Sequence, residues 1–322
     1  MNYSDLLHSL NASLHSFIWG PIMLCAFLFT GMLFTIRSGF FQFLHIRLWL
    51  KCTLFQFFRP VKSGKNQDHH SISQLQSCFT ALAATIGTGN ITGVATAIAI
   101  GGPGSVFWMW ISALLGTMTA FAENVLGMKY RYRSASGSWV GGAFIYIERG
   151  LGPRFKWMAV LFAILCVCSS FGIGNMTQAN SIACGLQDAF QIDPRLIGIL
   201  LMFLIGLVIF GGIRRIATVV EWLVPFMAIL YILGGLIVIL FHITNLPSVF
   251  VLIIREAFRP AAAGGGILGY GLMRAMQTGI SRGVFSNEAG LGSSVMAHCA
   301  CENPDPIVQG MWGIFEYLWI QF

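Results

Sequence analysis

The chain has 322 residues, of which 56% are hydrophobic and only 10% are charged, whereas roughly a quarter of the residues of a soluble domain are charged. This composition excludes an ordinary soluble domain and indicates an integral membrane protein. In a soluble protein, a formal net charge of +7 would suggest binding to nucleic acid. Here, however, the basic residues lie in loops between apolar runs. A lipid bilayer, and no nucleic acid, is therefore the expected partner.

Six apolar runs follow one another, each long enough to cross about 30 Å of hydrocarbon as a helix. A seventh, less regular run covers Gly264–His298. Because backbone amides in lipid must be bonded internally, these runs predict an all-α membrane fold. The six regular runs are Phe17–Ile36, Cys78–Ile100, Val106–Met128, Trp157–Gly174, Leu196–Gly212 and Val219–Phe241.

The basic residues are divided unevenly between the two sides of the membrane. Of 19 Lys and Arg residues, fourteen lie in the first, third and fifth loops, three lie on the opposite side and two lie inside the seventh run. The positive-inside rule therefore predicts a multi-pass protein of the plasma (inner) membrane with its N-terminus outside the cell. Residues 38–60, which alternate aromatic and basic residues, predict an amphipathic helix on the inner leaflet.

The second run is interrupted by the sequence TIGTGN, Thr85 to Asn90. Its glycines and hydrogen-bonding side chains are unfavourable in a helix interior, and they match neither a Walker A loop nor G-x-G-x-x-G. Close packing of neighbouring helices through small residues is one explanation of such a stretch. A break in the helix at a binding site is the other.

A second interruption favours the binding site. Gln277–Gly292 in the seventh run again contains glycines and polar groups. Paired broken helices, five spans apart and of opposite direction, are typical of inverted-repeat transporters. The sequence thus predicts an N-terminal helix with a cytoplasmic amphipathic segment (residues 1–70), a first five-helix repeat (71–243) and the start of a second repeat (244–322).

The ends of broken helices suggest the ligand. Amides freed at a half-helix N-terminus suit a carboxylate, and carbonyls freed at a C-terminus suit Na⁺. Thr85, Thr88, Asn90 and Thr92 add neutral oxygens, which favour a hard monovalent cation. The expected ligand is a small zwitterion that travels with Na⁺. No nucleophile and base pair, metal cluster or cofactor motif is present in the sequence, so neither an enzyme nor a cofactor is expected.

Several motifs resemble the alanine or glycine:cation symporter family over nearly the whole chain. They are ALAATIGTGNITGVATAIAIGGPGSVFWMW, GGAFIYIERGLG, NMTQANSIA, VPFMAILY and GISRGVFSNEAGLGSS. The resemblance implies a LeuT-like fold of two five-helix inverted repeats behind one extra N-terminal helix. It also implies uptake of alanine, glycine or a similar amino acid coupled to Na⁺ or H⁺.

The resemblance implies a substrate site on the first broken helix and the fourth span. Gly87, Thr88 and Gly89 would offer backbone groups to the substrate carboxylate. Gln178 would contact the substrate through its side chain, with Asn175 one turn away. Hydrogen bonding between helices without ligand contact is the alternative role of these two amides.

The resemblance places further site residues at the second break. Phe285 would form a wall of the pocket and Ser286 would belong to the substrate site. The coupling cation would be bound by Thr85 and Asn90 of the first break and by Asn287 of the second. No other metal is expected.

Charge within a membrane span is costly and usually functional, and three of the charged residues in the predicted spans are candidates for a role. Glu288 belongs to the family motif and would anchor the break or a gate, or make a structural hydrogen bond. Glu123 would either act in gating or sit at the interface near Arg131 or Arg133. Arg282 would be a gating or counter-charge residue.

The chain departs from the family pattern at its C-terminal end. Family members continue through about four more helices, whereas here the sequence changes after QGMWGIFE and the second repeat is incomplete. The expectation is therefore a truncated family member, and the alternative function is that of an inactive remnant or a non-transporting membrane subunit. A smaller departure is Ala143, where the family usually has proline.

Overall fold

The computed structural model of the chain describes residues 3–56, 71–258, 270–302 and 305–321. Two stretches discussed above therefore lie outside the described residues: part of the first loop (57–70) and the start of the seventh run (264–269). The helices are α1 Tyr3–Ile18, α2 Pro21–Arg37, α3 Phe41–Leu44, α4 Ile46–Cys52, α5 Gln74–Thr85, α6 Val94–Gly101, α7 Gly104–Tyr130, α8 Ala143–Leu151, α9 Lys156–Phe171, α10 Thr177–Phe190, α11 Pro194–Ile209, α12 Gly212–Phe241, α13 Leu246–Ala257, α14 Tyr270–Asn287, α15 Ser294–Cys299 and α16 Pro306–Gln321.

Four helical stretches within the described residues are long and apolar enough to cross a membrane, and a bent helix pair raises the number to five. The prediction of an all-α membrane protein is thus confirmed, apart from a small hairpin of β1 (Tyr132–Arg133) and β2 (Trp139–Val140) in the third loop. The four stretches are His8–Arg37, Gly104–Tyr130, Pro153–Phe190 and Gly212–Phe241.

Helices α9 to α12 carry most of the exposed apolar surface. Phe210 is 93% exposed, Phe241 82% and Trp222 80%, and exposed apolar patches of this size are not tolerated in water. The fourth predicted span is longer than expected, because a π-helical turn at Gly172–Met176 joins α9 to α10. These helices therefore turn a broad apolar face towards lipid.

Helix α7 is the central element against which α2, α14 and α16 pack. Small residues allow the close approach: a Cβ at Gly279 of α14 would lie 2.4 Å from the Ser105 carbonyl oxygen of α7. A Cβ at Gly31 of α2 would likewise lie 2.7 Å from the Leu115 carbonyl oxygen. Helix contacts through small residues are usual in membranes, where apolar burial cannot drive association.

The segment predicted to lie as one amphipathic helix on the inner leaflet differs from that prediction. It forms α3, α4 and a 3₁₀ turn at Leu54–Gln56, and Phe40 breaks it with a left-handed φ of 57°. Helix α4 packs on α16, and Trp49 is buried in the same apolar cluster as Phe315. Trp49 therefore packs against protein, while Phe43, Leu44 and Phe55 of the same segment are exposed.

Candidate functional site

The first predicted break is confirmed. Helix α5 begins at a capping box in which Ser73 and Gln76 bond each other's backbone amides, and it ends at Thr85. Ile86 is extended, with ψ of 104°, and the chain resumes in a π-helical turn at Gly89–Gly93 that leads into α6. The two halves are bent by 52°. Gly87 and Gly89 favour this break, because glycine loses more conformational freedom in a helix than other residues do.

The two amides that the first break frees donate to side-chain oxygens. The Gly87 N–H donates to Asn90 Oδ1 at 3.2 Å, and the Thr88 N–H donates to Gln178 Oε1 of α10 at 3.1 Å. Both amides lie at the N-terminal end of the second half-helix, where the backbone carries partial positive charge. The break therefore offers two N–H donors to a hydrogen-bond acceptor, and in the structure neutral side-chain oxygens accept from both.

The second break follows α14, which ends at Asn287. Glu288 has a left-handed φ of 56°, which is uncommon for a residue other than glycine, and Gly290 and Gly292 also have positive φ. Helix α15 then starts at Ser294. Glu288, which the sequence places at the break, is thus its first residue, whereas Phe285 to Asn287 form the last turn of α14.

Carboxylates satisfy the second break. Ser293 Oγ donates to Glu288 Oε2, and the Gly290 N–H donates to Glu123 Oε2 at 3.2 Å. Glu123 comes from α7 and is only 8% exposed. Its contact with the break corrects the expectation of an interfacial group paired with a nearby arginine, because the side chain points into the protein towards Gly290.

The first break lies against the last turn of α14, directly before the second break. A Cβ at Gly89 would lie 3.2 Å from the Phe285 ring and 3.6 Å from Ser286 Cα. A Cβ at Gly87 would lie 2.7 Å from Gln178 Nε2. The predicted residues Gly87, Gly89, Gln178, Phe285 and Ser286 are therefore brought together at one place, where only glycine leaves room for the facing side chains.

A cavity of about 700 Å³ opens beside the breaks. Gly87, Asn90 and Ser286 contribute polar lining groups, and most other lining residues are apolar. Sequence analysis missed the walls from α4, α12 and α16, because aromatic residues in apolar runs carry no signal that separates a pocket wall from a lipid contact. These walls include Trp49, Leu50, Tyr231, Ile232, Phe315 and Trp319.

The three predicted cation residues lie at the helix ends. Thr85, at the end of α5, is buried and donates its hydroxyl to the Ala81 and Leu82 carbonyls, both at 3.2 Å. Asn287, at the end of α14, is fully buried and accepts the Ala289 N–H at 3.1 Å. Asn90 already binds Gly87. Among the last carbonyls of α5, that of Leu82 also accepts the Ile86 N–H at 2.7 Å.

Two predicted residues are placed less favourably. Asn175 lies in the π-helical turn before α10 with an exposed side chain, so the structure does not bring it to the break with Gln178. Arg282 is half-buried on α14, one turn before Ser286. A gating or counter-charge role for Arg282 stays a prediction.

A family model described as the sodium:alanine symporter family matches residues 4–320. The chain is 46% identical to an uncharacterized transporter of Haemophilus influenzae and 41% identical to the sodium/alanine symporter AgcS of Methanococcus maripaludis, each over 95% of this chain and 65% of the relative. It is 42% identical to the putative sodium/proton-dependent alanine carrier protein YrbD of Bacillus subtilis, over 95% of this chain and 60% of the relative.

The chain thus spans 60% to 65% of the length of these relatives. The family match, which covers almost the whole chain, does not support the expectation of a truncated member. The family motifs at both breaks lie within the matched region, and the helices that carry them meet in the structure. On this evidence the chain belongs to the sodium:alanine symporter family.

Proposed function

We propose that the protein is a secondary active transporter that carries a small neutral amino acid, alanine or glycine, together with Na⁺. The observation that carries the proposal is the meeting of the two breaks at Gly89 and Phe285, beside a cavity that polar groups of both breaks line. Broken backbone at membrane depth is tolerated where protein or a water-filled cavity satisfies it, and transporters use it to bind substrate.

The substrate carboxylate would bind at the Gly87 and Thr88 amides. These N–H groups now donate to the amide oxygens of Asn90 and Gln178. A carboxylate is a stronger acceptor than a neutral amide, because charge-assisted hydrogen bonds are roughly twice as strong. Substrate would therefore replace these oxygens at the same donors, and the released Gln178 amide would turn to the substrate.

The small side chain of the substrate would face Phe285, whose ring lies beside Gly89 so closely that a Cβ there would be only 3.2 Å from it. Na⁺ would bind oxygens of Thr85, Asn90 and Asn287 and carbonyls at the end of α5, since hard cations prefer oxygen ligands. A proton is the other coupling ion to test. No cofactor is required for transport by this route.

The proposed architecture is LeuT-like, with α5 to α12 as a first inverted repeat and α14 to α16 as part of a second. The pairing of α5 and α6 with α14 and α15, each broken once, supports it. The long helix that follows each broken pair, α7 or α16, packs against the other. Alternating access would then arise from movement of one repeat against the other about the shared site.

The direct test is uptake of labelled alanine by the purified protein in proteoliposomes. We expect accumulation with an inward Na⁺ gradient, none with K⁺ in place of Na⁺, and competition by glycine, with glutamine as the longer neutral competitor. Gly89→Leu should abolish uptake because the side chain would overlap Phe285. Gly234→Leu is the matched control, since nothing lies within 4 Å of a Cβ at Gly234. No uptake by the unaltered protein would favour a non-transporting subunit instead.

We also propose that the protein lies in the plasma membrane with its N-terminus outside. The basic third loop carries the β1–β2 hairpin, and the link between α10 and α11 would lie on the other side, because the apolar stretch Pro153–Phe190 separates the two. In a variant without native cysteines, Ala135→Cys should resist an impermeant thiol reagent added outside whole cells. Asp188→Cys should react with it. The reverse pattern would overturn the orientation.

A further inference from the structure

A cluster of buried polar side chains lies beside the two half-helices α5 and α15. It consists of Ser77 from α5, His298 from α15, and Gln309 and Glu316 from α16, each with 0% exposure. Its residues are separate from the proposed amino-acid site. Buried polar groups in a membrane protein are costly and usually functional, and the transport mechanism proposed above makes no use of this cluster.

The hydrogen bonds of the cluster fix the protonation of His298. Gln309 Nε2, which can only donate, lies 2.6 Å from His298 Nδ1 and 3.2 Å from Ser77 Oγ. Ser77 in turn donates to the Ala297 carbonyl at 3.1 Å. With the Gln309 amide in this orientation, Nδ1 accepts a hydrogen bond, and the imidazole proton sits on Nε2, 3.0 Å from Glu316 Oε2.

This arrangement leaves acceptor capacity unused. Within the described part of the chain, Glu316 Oε1 and Gln309 Oε1 have no hydrogen-bond partner. With a neutral histidine, an ionised Glu316 would hold a full negative charge in a buried site with one donor, which is unfavourable. The unused acceptor oxygens of Glu316 and Gln309 therefore suit a site that binds one more positive charge.

The chemistry of the cluster selects a proton over Na⁺. The group that faces the carboxylate is an imidazole nitrogen, whereas Na⁺ is a hard cation that requires several oxygens. A proton can bind in two ways: as an O–H bond on Glu316, or as an N–H bond on His298 Nδ1. In the second case, rotation of the Gln309 amide by half a turn places its unused oxygen on the new donor without a change of shape.

Other titratable groups lie around the cluster. Glu288 at the second break and Cys78 on α5 interact electrostatically with Glu316. Tyr317 of α16 interacts with Glu316 and with Glu123 of α7. A change of charge on Glu316 therefore acts on titratable groups of α5, of the second break and of α16.

Arg131, which directly follows α7, is a basic residue close to the end of α15. Its guanidinium donates to the Cys299 carbonyl at 2.8 Å and also to the Cys301 carbonyl. It therefore satisfies the end of α15 next to His298. Its described hydrogen bonds go to these carbonyls.

The cluster is positioned to affect both breaks. Ile72, just before α5, bonds the backbone of Ala300 and Glu302, just after α15. Trp312 of α16 donates to Gln74 Oε1 at the start of α5, at 3.1 Å. A change of charge among Ser77, His298, Gln309 and Glu316 would thus alter how α16 holds the two half-helices that end or begin at the breaks.

We propose that His298 and Glu316 form a proton-binding site distinct from the amino-acid site, and that its proton is taken up as the half-helices α5 and α15 rearrange during transport. The inference rests on the proposed function only for its second part. The proton comes from water, forms an O–H bond on Glu316 or an N–H bond on His298 Nδ1, and returns to water when the site opens.

The first part is tested without transport, by infrared difference spectra of the purified protein between high and low pH. We expect a carboxylic-acid band that shifts in D₂O, is lost in Glu316→Gln and persists in Glu148→Gln. Glu148 is a suitable control because it is solvent-accessible and pairs with Lys156 at 3.6 Å. A proton on His298 Nδ1 would instead give an imidazolium band that is lost in His298→Gln. Absence of both bands from the unaltered protein overturns the site. Persistence of an unchanged band in Glu316→Gln also overturns it.

The second part is tested by proton counting during alanine binding, from calorimetry in two buffers of different ionisation enthalpy. We expect net proton uptake by the unaltered protein and by Glu148→Gln, and loss of that uptake in both Glu316→Gln and His298→Gln. Proton uptake that persists in both variants overturns the coupling. If alanine does not bind to the unaltered protein at all, the proposed function fails, while the infrared result still decides the site.

Discussion

The two broken helices look alike in sequence but differ in what satisfies their backbone. At the first break the freed amides of Gly87 and Thr88 donate to neutral amide oxygens. At the second break the Gly290 amide donates to the carboxylate of Glu123, and Glu288 accepts from Ser293. At the first break the acceptors are thus neutral amides, whereas at the second break they are the carboxyl groups of Glu123 and Glu288.

This difference separates a binding role from a structural one. A carboxylate ligand can displace a neutral amide oxygen, because it forms the stronger hydrogen bond with the same N–H group. It has no such advantage over a carboxyl group that the protein already supplies to the same amide. We therefore expect changes at the first break to alter affinity, and changes at the second break to alter stability.

The largest effect is expected from Gln178→Glu, which gives the first break a fixed acid like that of the second. Two like charges about 4 Å apart repel by roughly 4 kcal/mol at an effective dielectric constant of ~20. Alanine affinity should therefore fall at least about 100-fold, measured by calorimetry. Asn180→Glu, exposed on the same helix, should leave affinity unchanged. Equal affinities in the two variants would contradict a carboxylate site at Thr88.

Next in size is Glu123→Leu, which removes the acceptor of the Gly290 amide. An amide that loses its acceptor in a buried position costs about 1–3 kcal/mol, so the thermal unfolding midpoint should fall. Alanine affinity of the folded fraction should stay unchanged, and Glu123→Gln should restore most of the stability. Glu148→Leu is the exposed control. A loss of affinity at full stability would instead support the gating role considered for Glu123.

A smaller effect on affinity is expected from Asn90→Ala. Asn90 Oδ1 holds the Gly87 amide, and its own N–H donates to the Gly87 carbonyl at 3.2 Å. Loss of the side chain should weaken the preformed turn by about 1 kcal/mol, which lowers alanine affinity roughly fivefold. Asn180→Ala is the matched control. Unchanged affinity for both alanine and Na⁺ in Asn90→Ala would remove Asn90 from the site.

The sequence predicted the first break because glycine and threonine interrupt an otherwise continuous apolar run, and the bend of 52° confirms it. The partners across the chain were harder to predict. The Gln178 contact with Thr88 joins residues 90 positions apart, and only the family resemblance pointed to Gln178. Long-range contacts of this kind depend on how helices rotate about their axes, which periodicity in a nearly uniformly apolar helix does not define.

Glu123 illustrates the same limit. Within α7 it was weighed as a partner of arginines close in sequence, whereas its carboxylate reaches Gly290, 167 positions away. The cluster of Ser77, His298, Gln309 and Glu316 was missed altogether. Its residues are isolated polar positions in separate segments, and only the packing of α5, α15 and α16 brings them together.

The smallest effect is expected from Ser293→Ala at the second break. The Ser293 hydroxyl donates to Glu288, whose backbone is held at a φ of 56°. Because Glu288 is half-buried, water can replace the lost donor, so the change should cost only about 0.5–1 kcal/mol of unfolding free energy. Alanine affinity should not change, since a turn that serves as scaffold has no ligand to lose. The measurement is thermal unfolding with and without saturating alanine, with exposed Ser136→Ala as control. If the midpoint without alanine is unchanged but the stabilisation by alanine disappears, Ser293 and Glu288 belong to the ligand site, and the division of roles between the two breaks is wrong.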